Sequence, residues 1–188
     1  GLASKEIISN IFGGLLIFVE RPFAIGDMVS LPSQDLDGIV IDIGWRVTVV
    51  RSYDKTINYV PNSLFNSSVM INLSRRKHRR IRFYFGLHFN DASKVLTVAK
   101  QIESYINTSE AYAAQDQETY ISGSLLSFVR LNELADSSLK LDCQTFTKNN
   151  NWDEYMKARE ALLIKIKEIA DTNQCTIPFN TITIVDDK

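Results

Sequence analysis

The chain has 188 residues, of which 45% are hydrophobic and 23% are charged, so it is long enough to bury one large core or two small ones. Its formal net charge of −1 gives no global electrostatic reason to bind a polyanion, because nucleic-acid binding needs a strongly basic face. Cys143 and Cys175 form no CxxC pair, so we expect two reduced thiols in a cytosolic compartment rather than a disulfide.

The first predicted element is an apolar helix that ends before Pro22. Because the chain begins at Gly1 without an initiator methionine and enters this helix directly, we expect it to be a fragment of a longer protein. The longest apolar run, residues 11–19, is shorter than the ~20 residues that span a bilayer, but it fits the inner half of a membrane helix that begins upstream. The alternative is an amphipathic helix in a soluble core. Against it, apolar residues surround most of the helix and need apolar or protein neighbours on nearly every side.

Two adjacent glycines interrupt this helix. Gly13 and Gly14 each cost about 1 kcal/mol relative to alanine inside a helix, but they allow the backbone of a neighbouring helix to approach closely. The pair therefore predicts helix packing at this point. Pro22 then ends the helix, because it has no amide donor and disfavours the helical conformation at Arg21.

A β-rich region follows Pro22. Short apolar runs separated by turn residues predict strands at residues 28–31, 38–43, 46–51, 57–61 and 69–73, a pattern that suggests a small barrel. Pro61 stops the fourth strand. Asn62 is expected to cap a one-turn helix at residues 63–65, so we assign Ser63 a structural role and not a catalytic one.

A basic run, Arg75 to Arg82, comes next and is called the basic segment below. Its composition is typical of nuclear-localisation signals and RNA-binding segments. Apolar and polar residues then alternate over residues 81–89, so the basic residues lead into a β-strand with one apolar face. Because the rest of the chain is close to neutral, we do not expect this segment to bind nucleic acid.

The second half of the chain has the pattern strand, helix, strand, strand, helix, strand. These elements are predicted at residues 81–89, 91–107, 124–134, 139–147, 152–173 and 181–185. Asp91 is the expected N-cap of the first helix. The predicted inward faces of the two helices contain Val95, Val98, Ile102 and Tyr105, and Met156, Leu163, Ile166 and Ala170. The βαββαβ order is that of a ferredoxin-like domain, which makes the predicted fold class α+β.

No motif in the sequence predicts catalysis. His78 and His88 stand on one predicted strand segment, but at ~3.3 Å per residue they are ~33 Å apart, too far to share a metal. Sequence motifs for nucleotide binding, zinc peptidases and activated nucleophiles are missing, and Asp136 and Asp142 are expected to be solvated carboxylates. We therefore expect no enzymatic activity, no metal site and no cofactor.

Five motifs of the chain occur together, in the same order and spacing, in one known family. They are SNIFGGLLIFVERPFAIGD at residues 9–27, GWR at 44–46, YVPNSLF at 59–65, NLSRR at 72–76 and ADSSL at 135–139. Through them the chain resembles the MscS family of bacterial mechanosensitive channels of small conductance over essentially its whole length. It is most similar to the low-conductance subgroup of that family.

The resemblance implies an architecture of four parts. Residues 1–21 would be the end of a pore-lining transmembrane helix, and residues 22–73 an Sm-like β-barrel domain. Residues 74–180 would be the ferredoxin-like α/β domain, and residues 181–188 a strand that contributes to a barrel built by all subunits. The family assembles as a homo-oligomer, a heptamer, in the bacterial inner membrane. Most of this fragment would then lie on the cytoplasmic side, and helices upstream of it would contact lipid.

The resemblance also implies a function, which is to open under membrane tension and release ions and small solutes during hypoosmotic shock. Leu2 would lie in the ring that seals the pore, and Lys5, three residues later, would lie near the lumen. Glu6 stands where the prototype channel has a kink-forming glycine, so we do not expect a hinge there. The pore helix would join the cytoplasmic cage through Arg21, Pro22 and Phe23.

The basic segment would then lie near the openings of the cage, where its arginines pair with neighbouring subunits or face permeating ions. These arginines are Arg75, Arg76, Arg79 and Arg80. The alternative hypothesis is a soluble oligomeric Sm-like module that contacts RNA through the same segment.

Overall fold

The structure, a computed structural model, describes residues 2–114 and 125–178, with side chains from residue 5 onward. The chain divides into two compact units, Gly1–Arg76 and Lys77–Lys188. The predicted last strand, at residues 181–185, lies outside the described residues. The fold is α+β with two separate antiparallel sheets, as predicted.

Unit 1, Gly1–Arg76, combines two helices with a five-stranded sheet. Its elements are α1 (Leu2–Glu20), β1 (Met28–Leu31), β2 (Leu36–Ile43), β3 (Val47–Ser52), β4 (Ile57–Pro61), α2 (Asn62–Ser67) and β5 (Ile71–Asn72). The bounds of β1 and β4 are those predicted, but β5 is shorter than the predicted strand at residues 69–73. The strand order is β4-β3-β2-β1-β5, which places β4 and β5 at the two edges.

The core of unit 1 lies under one face of this sheet. Because side chains alternate between the two faces of a strand, every second residue of the central strands is buried. The buried set contains Ile17 of α1, Phe23, Val29, Leu31, Val40, Val50, Val60 and Phe65. The sheet therefore shares its core with both helices of the unit.

The expected capping role of Asn62 is wrong. Asn62 is the first residue of α2 and is fully buried, and the capping position before it is occupied by Pro61, which makes no side-chain capping bond. The Asn62 side chain points into the sheet, where Oδ1 accepts a hydrogen bond from Thr48 Oγ1 (2.8 Å) and Nδ2 donates one to the Gly44 carbonyl (2.9 Å). The side chain takes these partners because they satisfy both the oxygen and the nitrogen of a buried amide, whereas a capping bond would satisfy only the oxygen.

Unit 2, Lys77–Lys188, pairs a three-stranded sheet with two long helices. Its described elements are β6 (Arg80–Leu87), α3 (Val95–Thr108), β7 (Phe128–Leu134), β8 (Leu139–Phe146) and α4 (Trp152–Thr172). The strand order β6-β8-β7 places β8, antiparallel to both, between the two strands that α3 connects. This is the split βαβ arrangement of a ferredoxin-like domain and confirms the predicted fold class.

Two local predictions for unit 2 are wrong. Asp91 does not cap an α-helix, since it lies inside a 3₁₀ helix, Phe89–Lys94, and its carboxylate accepts the amide hydrogen of Thr176 (2.8 Å). The buried face of α4 is also rotated about the helix axis relative to the predicted face. It contains Ala158, Leu162, Ile166, Ile169 and Ala170, whereas Met156 and Leu163 are 44% and 39% exposed. Both faces of α4 are apolar enough to be buried, so periodicity alone could not choose between them.

Two neighbouring leucines of α4 test this rotation. Leu162→Ala should lower the free energy of unfolding by about 2–5 kcal/mol, because the removed side chain is fully buried in the core of unit 2. Leu163→Ala, the matched control, should change it by less than about 1 kcal/mol. Urea unfolding followed by circular dichroism measures both values. Equal losses for the two variants would contradict the observed face.

Candidate functional site

Helix α1 contacts the rest of unit 1 through one narrow stripe. Asn10, Gly13, Gly14 and Ile17 are buried, and their spacing of three, one and three residues places them on one face of the helix. The stripe lies against the beginning of α2 and against the turn between β2 and β3. It fixes α1 on unit 1 and leaves the other faces of the helix uncovered by the described residues of that unit.

The glycines of the stripe allow contact between backbones. A Cβ atom on Gly13 would lie 2.7 Å from the carbonyl carbon of Asn62, and one on Gly14 would lie 2.6 Å from the carbonyl oxygen of Trp45. Both distances are shorter than a Cβ atom tolerates. The neighbouring atoms belong to the backbone, so no change of side-chain rotamer can make room. Glycine is therefore required at both positions for α1 to lie where it does.

Asn10 supplies the polar contact of the stripe. Its Oδ1 accepts a hydrogen bond from the backbone amide of Ser63 (3.0 Å), one of the first amides of α2. Such amides have no partner inside their own helix, so Asn10 does for α2 what an N-cap residue normally does. The cap comes from α1, which couples the two helices.

The remaining faces of α1 present apolar side chains to the outside of this chain. The exposed residues are Ile7, Ile8, Ile11, Phe12, Leu15, Leu16, Phe18 and Val19. Monomeric proteins rarely expose a contiguous apolar surface of this kind, which marks a site of association with protein or lipid. Among the described residues, no helix is both long and apolar enough to cross a membrane.

The predicted gate residues lie at the start of α1. Leu2 is its first residue, and the Leu2 side chain lies outside the described part of the structure. Lys5 and Glu6 are both exposed. At ~100° per residue, Lys5 is about 130° around the helix from the buried stripe, so it faces away from the β domain of its own chain.

The predicted junction, Arg21, Pro22 and Phe23, is rigidly held. The Arg21 amide still donates to the Ile17 carbonyl (3.0 Å), but its φ of 47° is left-handed and turns the chain out of the helix. Phe23 is 1% exposed and packs on Phe65, with ring centroids 4.7 Å apart. The end of α1 is thus anchored in the core of unit 1 within three residues.

The arginines of the basic segment do not behave as one charged patch. In unit 1, Arg75 Nη2 donates to the Arg21 carbonyl (2.5 Å), and Arg76 is half-buried. In unit 2, the Arg79 guanidinium lies 5.0 Å from the Trp152 ring centroid, and its Nε donates to the Asn150 carbonyl (2.8 Å). Only Arg80 is exposed with no hydrogen bond or ion pair from its side chain to the described residues.

Asp136 is exposed, as expected, but the expectation that Asp142 is a solvated carboxylate is wrong. Asp142 is buried and accepts two hydrogen bonds from the Arg82 guanidinium, at 3.1 Å from Nε and 2.7 Å from Nη2, which raises the pKa of Arg82. Burial raises the pKa of the Cys143 thiol to about 12. His78 Nδ1 donates to the Thr147 carbonyl (2.8 Å). Across residues 2–114 and 125–178, no three potential metal ligands converge.

Sequence patterns did not indicate Asn10 or Asn72 as residues of this site, and they gave Asn62 a different role. Asn10 could have been found, because a polar residue three and four positions before the two glycines marks the same helix face. The partners of the Asn62 side chain and of Asn72 Nδ2 are 14 to 50 residues away in sequence, and no local pattern indicates them.

Comparison with known proteins finds matches over most of the chain. Residues 6–75 match the family described as "Mechanosensitive ion channel, beta-domain", and residues 92–177 match "Mechanosensitive ion channel MscS, C-terminal". The low conductance mechanosensitive channel YnaI of Escherichia coli is 34% identical over 188 residues, covering 100% of this chain and 52% of that protein. The small-conductance mechanosensitive channel MscMJ of Methanocaldococcus jannaschii is 30% identical over 187 residues, with coverages of 100% and 50%.

A solved structure shows the same fold. The crystal structure of Helicobacter pylori MscS in its closed state superimposes with a TM-score of 0.80 at 27% identity, covering 100% of this chain and 68% of that one. The chain spans about half the length of the curated relatives it matches.

The buried stripe of α1 can be tested with one glycine. Alanine is normally the better helix former by about 1 kcal/mol, yet Gly14→Ala should destabilise unit 1 because its Cβ collides with the Trp45 carbonyl. Ser9→Ala, on an exposed face of the same helix, is the control and should leave the melting temperature within about 1 °C. A stabilising Gly14→Ala would contradict the close approach.

Proposed function

Because this chain belongs to the MscS family of mechanosensitive ion channels, we propose that it is part of a channel subunit that opens under membrane tension and releases ions and small solutes during hypoosmotic shock. One observation carries the proposal. Helix α1 is fixed to its own β domain by a single stripe and exposes apolar residues over most of the rest of its circumference, as expected for a helix in a ring of identical helices.

The assembly that follows is a closed ring of identical subunits. We propose seven, with heterologous contacts in which each subunit uses two different surfaces. Residues 1–21 form the end of the pore helix, 22–73 the Sm-like domain, 74–180 the ferredoxin-like domain, and 181–188 a strand of a shared barrel. The resemblance to the family in sequence and fold supports this division. The ring lies in the bacterial inner membrane, held in lipid by helices upstream of Gly1.

The RNA-binding alternative has no observation in its favour. A nucleic-acid site needs several cations free to contact phosphates. Here Arg75 is engaged with the Arg21 carbonyl and Arg79 with Trp152. The relatives named above are channels, and none is named for RNA binding. The family is likewise not one of enzymes.

The gate is assigned to Leu2 at the beginning of α1. A ring of leucines blocks ions by excluding water from a narrow lumen rather than by filling it. In the full-length protein, Leu2→Ser should therefore lower the membrane tension that opens the channel and slow growth when expression is induced. Patch recordings under graded suction test both the function and the residue. A wild-type protein that never conducts under tension would contradict the function, and an unchanged threshold would contradict Leu2.

Lys5 is proposed to set ion preference. It is exposed, points away from its own β domain, and lies within about 60° of Leu2 on the helix, so a pore-facing Leu2 brings Lys5 near the lumen. In a ring of subunits this makes a ring of ammonium groups, which favours anions and lowers conductance. Glu6 lies about 100° around the helix from Lys5, and it reduces the net charge of the ring if it pairs with a lysine of a neighbouring helix.

Lys5→Glu should shift the reversal potential in asymmetric salt toward cation preference, because the ring then carries negative charge. Lys100→Glu makes the same charge change at an exposed position on α3 and serves as the control. Equal reversal potentials for wild type and Lys5→Glu would place Lys5 outside the pore.

A further inference from the structure

The last turn of α1 lacks the charge that normally stabilises a helix end. The C-terminus of a helix carries partial negative charge and favours a cation nearby. No basic residue occurs in the last turn of α1, which instead ends in Glu20. The Arg21 guanidinium is directed to the Phe18 ring, 5.8 Å from its centroid. Among the described residues, the Arg21 guanidinium makes no hydrogen bond to a carbonyl at this helix end.

Arg75 provides that cation from 54 residues away in sequence. Its Nη2 donates to the Arg21 carbonyl at 2.5 Å, directly beyond the helix. A charged donor on a carbonyl at this position satisfies an acceptor and also opposes the negative end of the helix dipole. The Arg75–Arg21 contact therefore acts as the C-terminal cap of α1.

Asn72 forms hydrogen bonds with both segments that the Arg75–Arg21 contact joins. Its Nδ2 donates to the Pro22 carbonyl (3.1 Å) and to Asp27 Oδ2 (2.9 Å), which fixes the chain just after α1. Its Oδ1 accepts the amide hydrogens of Ser74 (3.0 Å) and Arg75 (3.2 Å), which fixes the backbone that carries the guanidinium. The junction and its partner segment are thus joined through one side chain.

The junction needs such support because its backbone is strained. Arg21 has a φ of 47°, in the left-handed region that costs a non-glycine residue about 1–2 kcal/mol. Strained conformations persist only where surrounding contacts over-determine them. Asn72 and Arg75 supply those contacts on the two carbonyls next to the strained residue, those of Arg21 and Pro22.

We propose that Asn72 and Arg75 form a latch that sets the direction in which α1 leaves the β domain, with Arg75 as a positioning residue for the pore helix. The latch deepens the proposed function and rests on it for its effect on gating. Arg75 is followed after one residue by the start of unit 2.

Hydrogen–deuterium exchange of the full-length protein in nanodiscs tests the latch without relying on conduction. Arg75→Gln removes the charged donor, so the amides of residues 18–21 should exchange about tenfold faster, as expected for loss of one exposed charge-assisted hydrogen bond. Arg75→Lys keeps the charge without the planar donor group and should give an intermediate rate. Asn72→Ala should also accelerate exchange.

Arg80→Gln is the matched control, since it removes the same charge from an exposed arginine whose side chain has no described partner. Its exchange over residues 18–21 should equal that of the wild type. Equal exchange rates for Arg75→Gln and Arg80→Gln would overturn the latch. So would wild-type exchange rates in both Arg75→Lys and Asn72→Ala. A protein that does not conduct would contradict the proposed function and leave this exchange result unchanged.

Discussion

The fold of unit 1 depends on the close approach of α1 to the backbone at Asn62 and Trp45. Only hydrogen atoms fit between these segments at Gly13 and Gly14. Because the contact is between backbones, it cannot relax by a rotamer change, and it aligns Asn10 with the first amides of α2 and Ile17 with the core. The direction of α1, the position of α2 and the turn between β2 and β3 are consequences of this one constraint.

The exposed surface of α1 and the distribution of arginines follow from the same arrangement. A helix held by one stripe leaves its remaining apolar residues for partners outside the chain, which is the requirement of a ring assembly. The basic segment, in contrast, is mostly used inside the chain, on a helix end in unit 1 and on an aromatic pair, Trp152 and Tyr155, in unit 2. Arginines that are clustered in the sequence thus make separate structural contacts in the two units.

Local patterns predicted what depends on local physics. Short apolar runs between turn residues identified β1 and β4 to the residue, Pro22 marked the end of α1, and the order of elements predicted the ferredoxin-like arrangement. The errors occurred where a distant partner competed with a local preference. Asn62 and Asp91 are both good capping residues, but Thr48 and Thr176 bind their side chains instead. For the site, Gly13 and Gly14 were identified from the sequence, whereas Asn72 and the engagement of Arg75 depend on contacts between residues some 50 positions apart.

The cap that Asn10 places on α2 also bears on the chemical ageing of the protein. An asparagine followed by serine is prone to deamidation, in which the backbone nitrogen of the serine loses its proton and attacks the asparagine side-chain carbonyl, forming a cyclic imide and releasing ammonia. At Asn62 this nucleophile is the Ser63 nitrogen, whose hydrogen is held by Asn10. The Asn62 amide is itself held by Thr48 and Gly44 and is fully buried. The contact that joins α1 to α2 therefore also protects the covalent integrity of Asn62, the residue of α2 on which α1 packs.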